Sequence, residues 1–387
     1  MAVLSDAQRE AGWTVVKLEE AVDKIIDHRG RTPKKLGGDW STSGHRVISA
    51  LNIKKGVIDQ NYHHMIDDRM YEQWMPVKFS IGDVIVTSEA PMGEIARVRN
   101  AEEATWAAGQ RIFVLKPKKN LVHSRYMYYA FLSTKVQAGL HSRSSGTTVV
   151  GIKQKELKEV EIPLPPLEEQ ERIAGILGSL DDKIEANTRL IQTLDSLGEA
   201  VTRKYLKSVQ ETQKLNDIAH IVMGQSPKGE TLNTEGSGVL FFQGKKDFGF
   251  RYPAPRTYTT AATRMAEPLD ILFSVRAPIG ALNRSVEACC VGRGLAAIRS
   301  SCGQENTLFY TLKTNPNLWE KFEGEGTIFS AINKKGLSEL DIPFSETAIS
   351  NGVEDFLTSV EQEIFSLEQE NLQLAATRDA LIKRLIG

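Results

Sequence analysis

Side chains suited to phosphate and base edges gather in the glycine- and proline-containing turns of this chain. Arg29, Arg31, Lys34 and Lys35 surround Gly30 and Pro33, Lys54 and Lys55 form a pair, Lys228 follows Pro227, and Lys245 and Lys246 follow Gly244. Phosphate oxygens take most hydrogen bonds in a protein–DNA contact, and such clusters suit them. Any one of these lysines by itself is an ordinary solvated charge. Lys153, Lys155, Lys334 and Lys335 are further candidates, for DNA or for a partner protein. For reading bases, Glu89 and Arg276 stand at the same place in a loop that occurs twice. An arginine bridges O6 and N7 of guanine, and a carboxylate accepts from N4 of cytosine. The competing account is a structural turn whose Ala-Pro-x-Gly core packs internally. Arg143, in the Ser/Gly-rich stretch 141–148, and Arg251, between Phe250 and Tyr252, are secondary candidates.

Catalysis has no comparable case. No Gly-x-x-x-x-Gly-Lys-Ser/Thr phosphate loop occurs. Pro165-Pro166 lies between Leu164 and Leu167, without the polar residue and aromatic that an amino-methyltransferase sets beside its target base. His63-His64 is adjacent, the wrong spacing for two ligands on one helix face, and Glu156-Leu157-Lys158 has no upstream metal carboxylate. The expectation is a non-enzymatic chain with no metal or cofactor of its own. Three cysteines, two of them adjacent, point to a reduced, cytoplasmic protein. No apolar run is long enough to span a bilayer, and the first residues do not read as a secretory signal.

These residues need elements to present them. The overall charge of −1 hides an alternation: 24 Lys+Arg against 18 Asp+Glu in residues 1–160, 5 against 9 in 161–206, 16 against 14 in 207–345, and 3 against 8 in 346–387. Two basic segments thus alternate with two acidic ones, and phosphate contact belongs to the basic pair. The acidic segments carry heptads. Ile173, Leu177, Leu180, Ile184, Asn187, Ile191, Leu194, Gly198, Val201 and Tyr205 recur 180 residues later as Val353, Leu357, Val360, Ile364, Leu367, Asn371, Leu374, Arg378, Leu381 and Leu385. Steps of four and three over this length predict two helices that bury one narrow seam against each other. The alternative is two unrelated amphipathic surface helices.

The basic segments repeat as well. Gly30-Arg31-Thr32-Pro33 returns as Gly224-Gln225-Ser226-Pro227, and the stretch 82–93 (GDVIVTSEAPMG) as 269–280 (LDILFSVRAPIG). Gly146-Thr147 returns as Gly326-Thr327, 152–157 as 332–337, and Glu161-Ile162-Pro163 as Asp341-Ile342-Pro343. Order is kept through a drifting offset, so the chain is a duplicated unit of globular domain, proline hinge and long acidic helix. The division expected is 1–160 for the first domain, 161–210 for hinge and central helix, 211–345 for the second domain and 346–387 for the last helix. The fold class is α+β: short strands at 46–51, 84–87 and 111–116, and one amphipathic helix over 124–140. A helix of roughly 38 residues spans about 57 Å. Antiparallel pairing would set the two domains at opposite ends of a rod, a ruler for a two-part target on B-DNA, whose turn repeats about every 34 Å.

Taken together, the Ser-Glu-Ala-Pro-Met-Gly and Val-Arg-Ala-Pro-Ile-Gly loops, the Gly-x-Thr/Ser-Pro turns, and the run 162–170 (IPLPPLEEQ) opening a long helix resemble the specificity subunits of type I restriction–modification systems. The resemblance covers essentially the whole chain, although the second linker, Pro343-Phe344-Ser345-Glu346, lacks the Pro-Pro-Leu-Glu-Glu-Gln run. It implies two target-recognition domains, each reading half of an asymmetric bipartite site in double-stranded DNA, and two helices paired antiparallel. It also implies two methyltransferase subunits carrying S-adenosylmethionine, and restriction/translocase subunits using ATP and Mg, as partners. The rival is a coiled-coil scaffold that binds proteins and no nucleic acid.

Overall fold

A computed structural model describes residues 4–54, 56–59, 64–322 and 330–387. Lys55, His63 and the Gly326-Thr327 motif lie outside the described residues. The chain forms two compact units, residues 1–184 with 372–387, and residues 185–371. The architecture is α+β, and the two units share one plan.

In the first unit an antiparallel sheet runs in the order Val22–Asp27, Ile112–Pro117, Val84–Thr87, Ile95–Arg97. Its side chains alternate between two cores, as the period-two pleat requires. Val84, Val86, Phe113 and Leu115 face the helical side with Tyr126, Tyr129 and Phe131, while Ile85, Ile112 and Val114 face Val47, Trp74 and Trp106. The second unit repeats this with Ala219–Met223, Leu295–Ser300, Ile271–Ser274 and Leu282–Arg284 in the same order. There, Ile271 and Phe273 face one core and Leu272 the other.

A two-stranded clasp closes each globular part. Thr14–Lys17 pairs with Glu161–Leu164, and Thr212–Lys214 with Asp341–Pro343, both antiparallel. The equivalent lysines of the two clasps pair with different acids, Lys17 with Glu159 at 2.7 Å and Lys214 with Asp341, the counterpart of Glu161, at 2.6 Å.

Local differences from expectation have local causes. The strand expected at 46–51 covers His45–Ile48 and stops where Ser49 turns the chain, its N–H donating to the Asn52 side chain at 2.9 Å. The single helix expected over 124–140 is two, Ser124–Leu132 and Thr134–Ser142. Ser133 is extended (φ −67°, ψ 149°), its hydroxyl donates to Ala130 O at 2.6 Å, and its oxygen accepts from Val136 N. A serine that competes with the helix ladder ends one helix and caps the next.

The two long helices are Leu167–Leu206 and Val353–Leu385. In the first unit Ile173 and Leu177 share a core with Ile382 and Ile386, and Arg378 pairs with Asp181 at 2.8 Å. In the second unit Ile191 and Leu194 pack with Val360, Ile364 and Leu367, and Leu357 enters the globular core. Asn187 donates to Asn371 Oδ1 at 3.0 Å and to Glu370 at 2.7 Å. Positions that ascend one helix meet positions that descend the other, so the pairing in each unit is antiparallel. The two polar ladder positions meet each other, the arrangement that fixes register in coiled coils. Leu180, Ile184, Val201, Val353, Leu374 and Leu381 of the ladder are only half-buried. Near its end the second helix buries Ile382 and Ile386 more deeply than Leu381 and Leu385, the drift expected of a 3.6-residue turn under a 3.5-residue repeat.

Candidate nucleic-acid interface

Each unit brings two turns together beside the sheet. In the second unit Phe241–Phe242 pairs in parallel with Cys290–Val291, which delivers the chain into the turn Gly292-Arg293-Gly294. Gly292 N donates to Phe242 O at 2.8 Å, Gly294 N to Gln243 O at 3.2 Å and Val275 N to Gly294 O at 3.0 Å. The Gly224-Gln225-Ser226-Pro227 turn packs on top. A Cβ at Gly224 would lie 2.1 Å from the Gly292 carbonyl oxygen, so glycine is required there. Gln225 N donates to Val291 O at 2.9 Å, and Ser226 Oγ accepts from Arg293 N at 3.3 Å.

The first unit builds the same platform. Val47–Ile48 runs parallel to Ala107–Ala108, and Gly109 N donates to Ile48 O at 2.7 Å, as Gly292 does to Phe242. Gln110 occupies the place of Arg293 and Arg111 that of Gly294. Gln110 ties the turns together: its Oε1 accepts from Gly30 N at 3.0 Å and its Nε2 donates to Arg31 O.

Cations collect on these platforms. Arg264, whose carbonyl accepts from Val291 N, joins Arg276, Arg293, Lys245 and Lys246, and all five are exposed. None has an ion pair among the described residues. Arg264 and Arg293 are not among the residues singled out from sequence, although arginine between two glycines at 292–294 is a readable signal of a tight turn presenting one guanidinium. In the first unit Arg31 and Lys34 are exposed without an acidic partner among the described residues, and Lys35 donates to Gly30 O at 2.6 Å.

Other sequence candidates are already engaged. Arg29 pairs with Asp27 at 2.6 Å and lies 4.6 Å over the Phe113 ring. Lys54 pairs with Asp59 at 2.9 Å, Lys228 approaches Glu230 at 4.0 Å, and Arg143 is half-exposed. Glu89 pairs with Arg111 at 3.1 Å, whereas Arg276 at the equivalent position has no ion pair among the described residues. The loop core around them does pack internally: Thr87 Oγ1 donates to Pro91 O at 2.6 Å, and both Ala90–Pro91 and Ala277–Pro278 bonds are cis. Loop core and projecting side chain thus have separate roles.

Arg251 is a correction. It is 2% exposed and sits in a buried charge network. Its guanidinium pairs with Asp195 and lies 3.2 Å from Glu361, Arg284 lies 3.3 Å from the same Glu361 oxygen, and Tyr310 donates to Glu361 at 2.8 Å. Both guanidinium groups cover the Phe309 ring, at 4.3 and 4.6 Å. Its neighbours Phe250 and Tyr252 suggest a stacking site, but its carboxylate partners come from the long helices and remove it from solvent.

Glu368, whose carboxylate accepts from Arg251 N at 3.2 Å, has its pKa pushed up by burial to about 7. The folded state therefore holds a proton that the unfolded chain releases near 4.5. The sign follows: this group's contribution to stability is complete below pH ~4.5 and is lost as pH rises through ~7, by at most about 1.4 kcal/mol per pH unit. Urea unfolding of wild type should weaken across that window, and Glu368→Gln should flatten the slope. An unchanged slope in the variant would assign the dependence elsewhere.

Against known proteins, residues 10–196 match the family model described as the type I restriction modification DNA specificity domain. A putative type I restriction enzyme MjaX specificity subunit of Methanocaldococcus jannaschii is 28% identical over 97% of this chain and 92% of its own length. The MjaIX specificity subunit of the same organism is 37% identical, over 31% of this chain and 26% of its own. Among solved structures, the type-I restriction-modification system S subunit from M. genitalium covers 97% of this chain and 96% of its own, at 18% identity and a TM-score of 0.58, a likeness of fold.

Proposed function

We propose that the chain is a type I restriction–modification specificity subunit, whose two platforms read the two halves of one interrupted DNA target while its long helices seat partner subunits. The match of residues 10–196 to the specificity-domain model and the 28% identity to a specificity subunit over 97% of the chain support this reading. It is a DNA-recognition and assembly component and performs no catalysis. The observation that carries the reading is a two-turn platform in each unit, each copy bearing exposed cations without acidic partners among the described residues. The copies present different side chains, which suits an asymmetric target. No described helix is long and apolar enough to cross a membrane. The partners are two methyltransferase subunits, bringing S-adenosylmethionine, and restriction/translocase subunits, bringing ATP and Mg, working together in the cytoplasm. The domain division at 160, 210 and 345 belongs to this same proposal.

The test is selection of duplexes from a randomised pool by the full chain co-expressed with its methyltransferase subunit. The expected result is two short, unlike motifs at one fixed spacing. Binding should also fall steeply between about 50 and 200 mM salt, because phosphate contacts release counterions. No duplex retained at low salt would favour the protein scaffold instead.

A further inference from the structure

The parallel strand pairs of the two platforms correspond in sequence, but the proline turns are tied down differently, Gln225 N bonding Val291 O where Arg31 N bonds His28 O, and the arginine changes turns. On the proline turn the first copy has Arg31 and the second Gln225; on the strand turn the first has Gln110 and the second Arg293. The exchange leaves the paired turns of each platform with one exposed guanidinium, Arg31 in the first copy and Arg293 in the second. In the first copy the Gln110 amide is spent on the backbone of the opposite turn, at Gly30 and Arg31, so Arg31 alone projects. In the second copy Ser226 takes over that cross-turn bond by accepting from Arg293 N, which leaves the Arg293 side chain free.

Arg293 stands on a turn whose backbone is fixed, and Arg31 follows a left-handed glycine, Gly30 at φ +74°, with open space around it. Gly292 and Gly294 on either side of Arg293 have no room for a Cβ, which would meet Gln243 Cα at 3.0 Å and Gln243 O at 2.6 Å. The turn is thus bare on either side of Arg293 and fixed by three backbone hydrogen bonds. Other exposed cations, Lys245, Lys246 and Arg264 in one copy and Lys34 and Lys35 in the other, remain for the phosphates that flank a groove. A forked guanidinium on a rigid base is the group that grips O6 and N7 of guanine.

We propose that Arg31 and Arg293 are the guanine-reading side chains of this protein, one for each half-site, carried on opposite turns of one platform. The assignment rests on the target-reading function proposed above.

The experiment repeats the duplex selection with the full chain and its methyltransferase partner, using wild type, Arg31→Ala, Arg293→Ala and Arg293→Lys. Both arginines are exposed, so none of these changes disturbs the core. Arg293→Ala should lose preference for guanine at a single position in one half-site, by about 10- to 100-fold, leaving the other half unchanged. Arg31→Ala should do the same in the other half. Arg293→Lys should relax that position nearly as much as alanine, since an ammonium keeps the charge without the fork. Uniform weakening across all sequences, with a salt slope reduced by about 1 and rescue by lysine, would make Arg293 a phosphate contact and overturn the assignment. An unchanged base profile in either alanine variant would overturn it too. If wild type itself selects no motif, the target-reading function falls and takes the assignment with it.

Discussion

Arg251→Ala should destabilise the second unit by about 3–5 kcal/mol, the cost of leaving buried carboxylates without their cation. The side chain is 2% exposed and contacts Asp195, Glu361 and Tyr310, while its backbone holds Glu368. Removing it leaves Arg284 to balance Glu361 and leaves Lys313, at the edge of the network, to balance Asp195. Lys313→Ala, at a side chain 27% exposed, should cost only about 1 kcal/mol. Urea unfolding of the three proteins checks the order. A loss below about 1 kcal/mol for Arg251→Ala would mean that water reaches the network and restore Arg251 as a surface residue.

Gly280→Ala should cost roughly 2–5 kcal/mol, and Gly93→Ala, its counterpart in the first loop, appreciably less. Both glycines are left-handed, at φ +81° and +86°. Their surroundings separate them. A Cβ on Gly280 would lie 2.0 Å from a Trp319 ring atom, and that indole is buried and packed edge-on against Phe273 at 5.2 Å. A Cβ on Gly93 meets Gln137 Oε1 at 3.0 Å and His141 Nε2 at 3.8 Å, so the strain falls on the end of one amide side chain, at the expense of its hydrogen bonds to Gly93 O and Phe131 O, and on no buried ring. Thermal unfolding of the two variants measures the difference. Equal losses would show that the indole yields as readily as an amide.

The periodic and the local were legible in the sequence; long-range partnerships were not. Heptad spacing locates the paired helices, because a narrow apolar seam follows from 4-3 steps alone. The duplication survives small deletions because its turns are marked by glycine and proline. Arg251 is mistaken for a surface residue because Asp195 and Glu361, 56 and 110 positions away, decide its burial. Arg293 escapes notice because a lone arginine among glycines resembles any loop, and only the parallel pairing of 241–242 with 290–291 sets it beside Gln225. Leu269 shows the same limit. It adopts φ +71° where the first copy has Gly82 at +96°, a left-handed position that a leucine does not announce.

The clasps carry a consequence for how such a protein changes over time. Each globular part begins and ends on two adjacent antiparallel strands, Thr14–Lys17 beside Glu161–Leu164 and Thr212–Lys214 beside Asp341–Pro343. The clasps meet in similar ways: Leu18 N donates to Val160 O at 2.8 Å, and Leu215 N to Leu340 O at 3.0 Å. Everything between the two strands of a clasp hangs from a single doorway. A foreign insert has to present the same two strand ends and the side chains that meet the long helices, as Tyr129 meets Asp181 and Arg251 meets Asp195. Recombination at both flanks can therefore exchange a whole globular part between relatives while the clasp and the long helices stay in place.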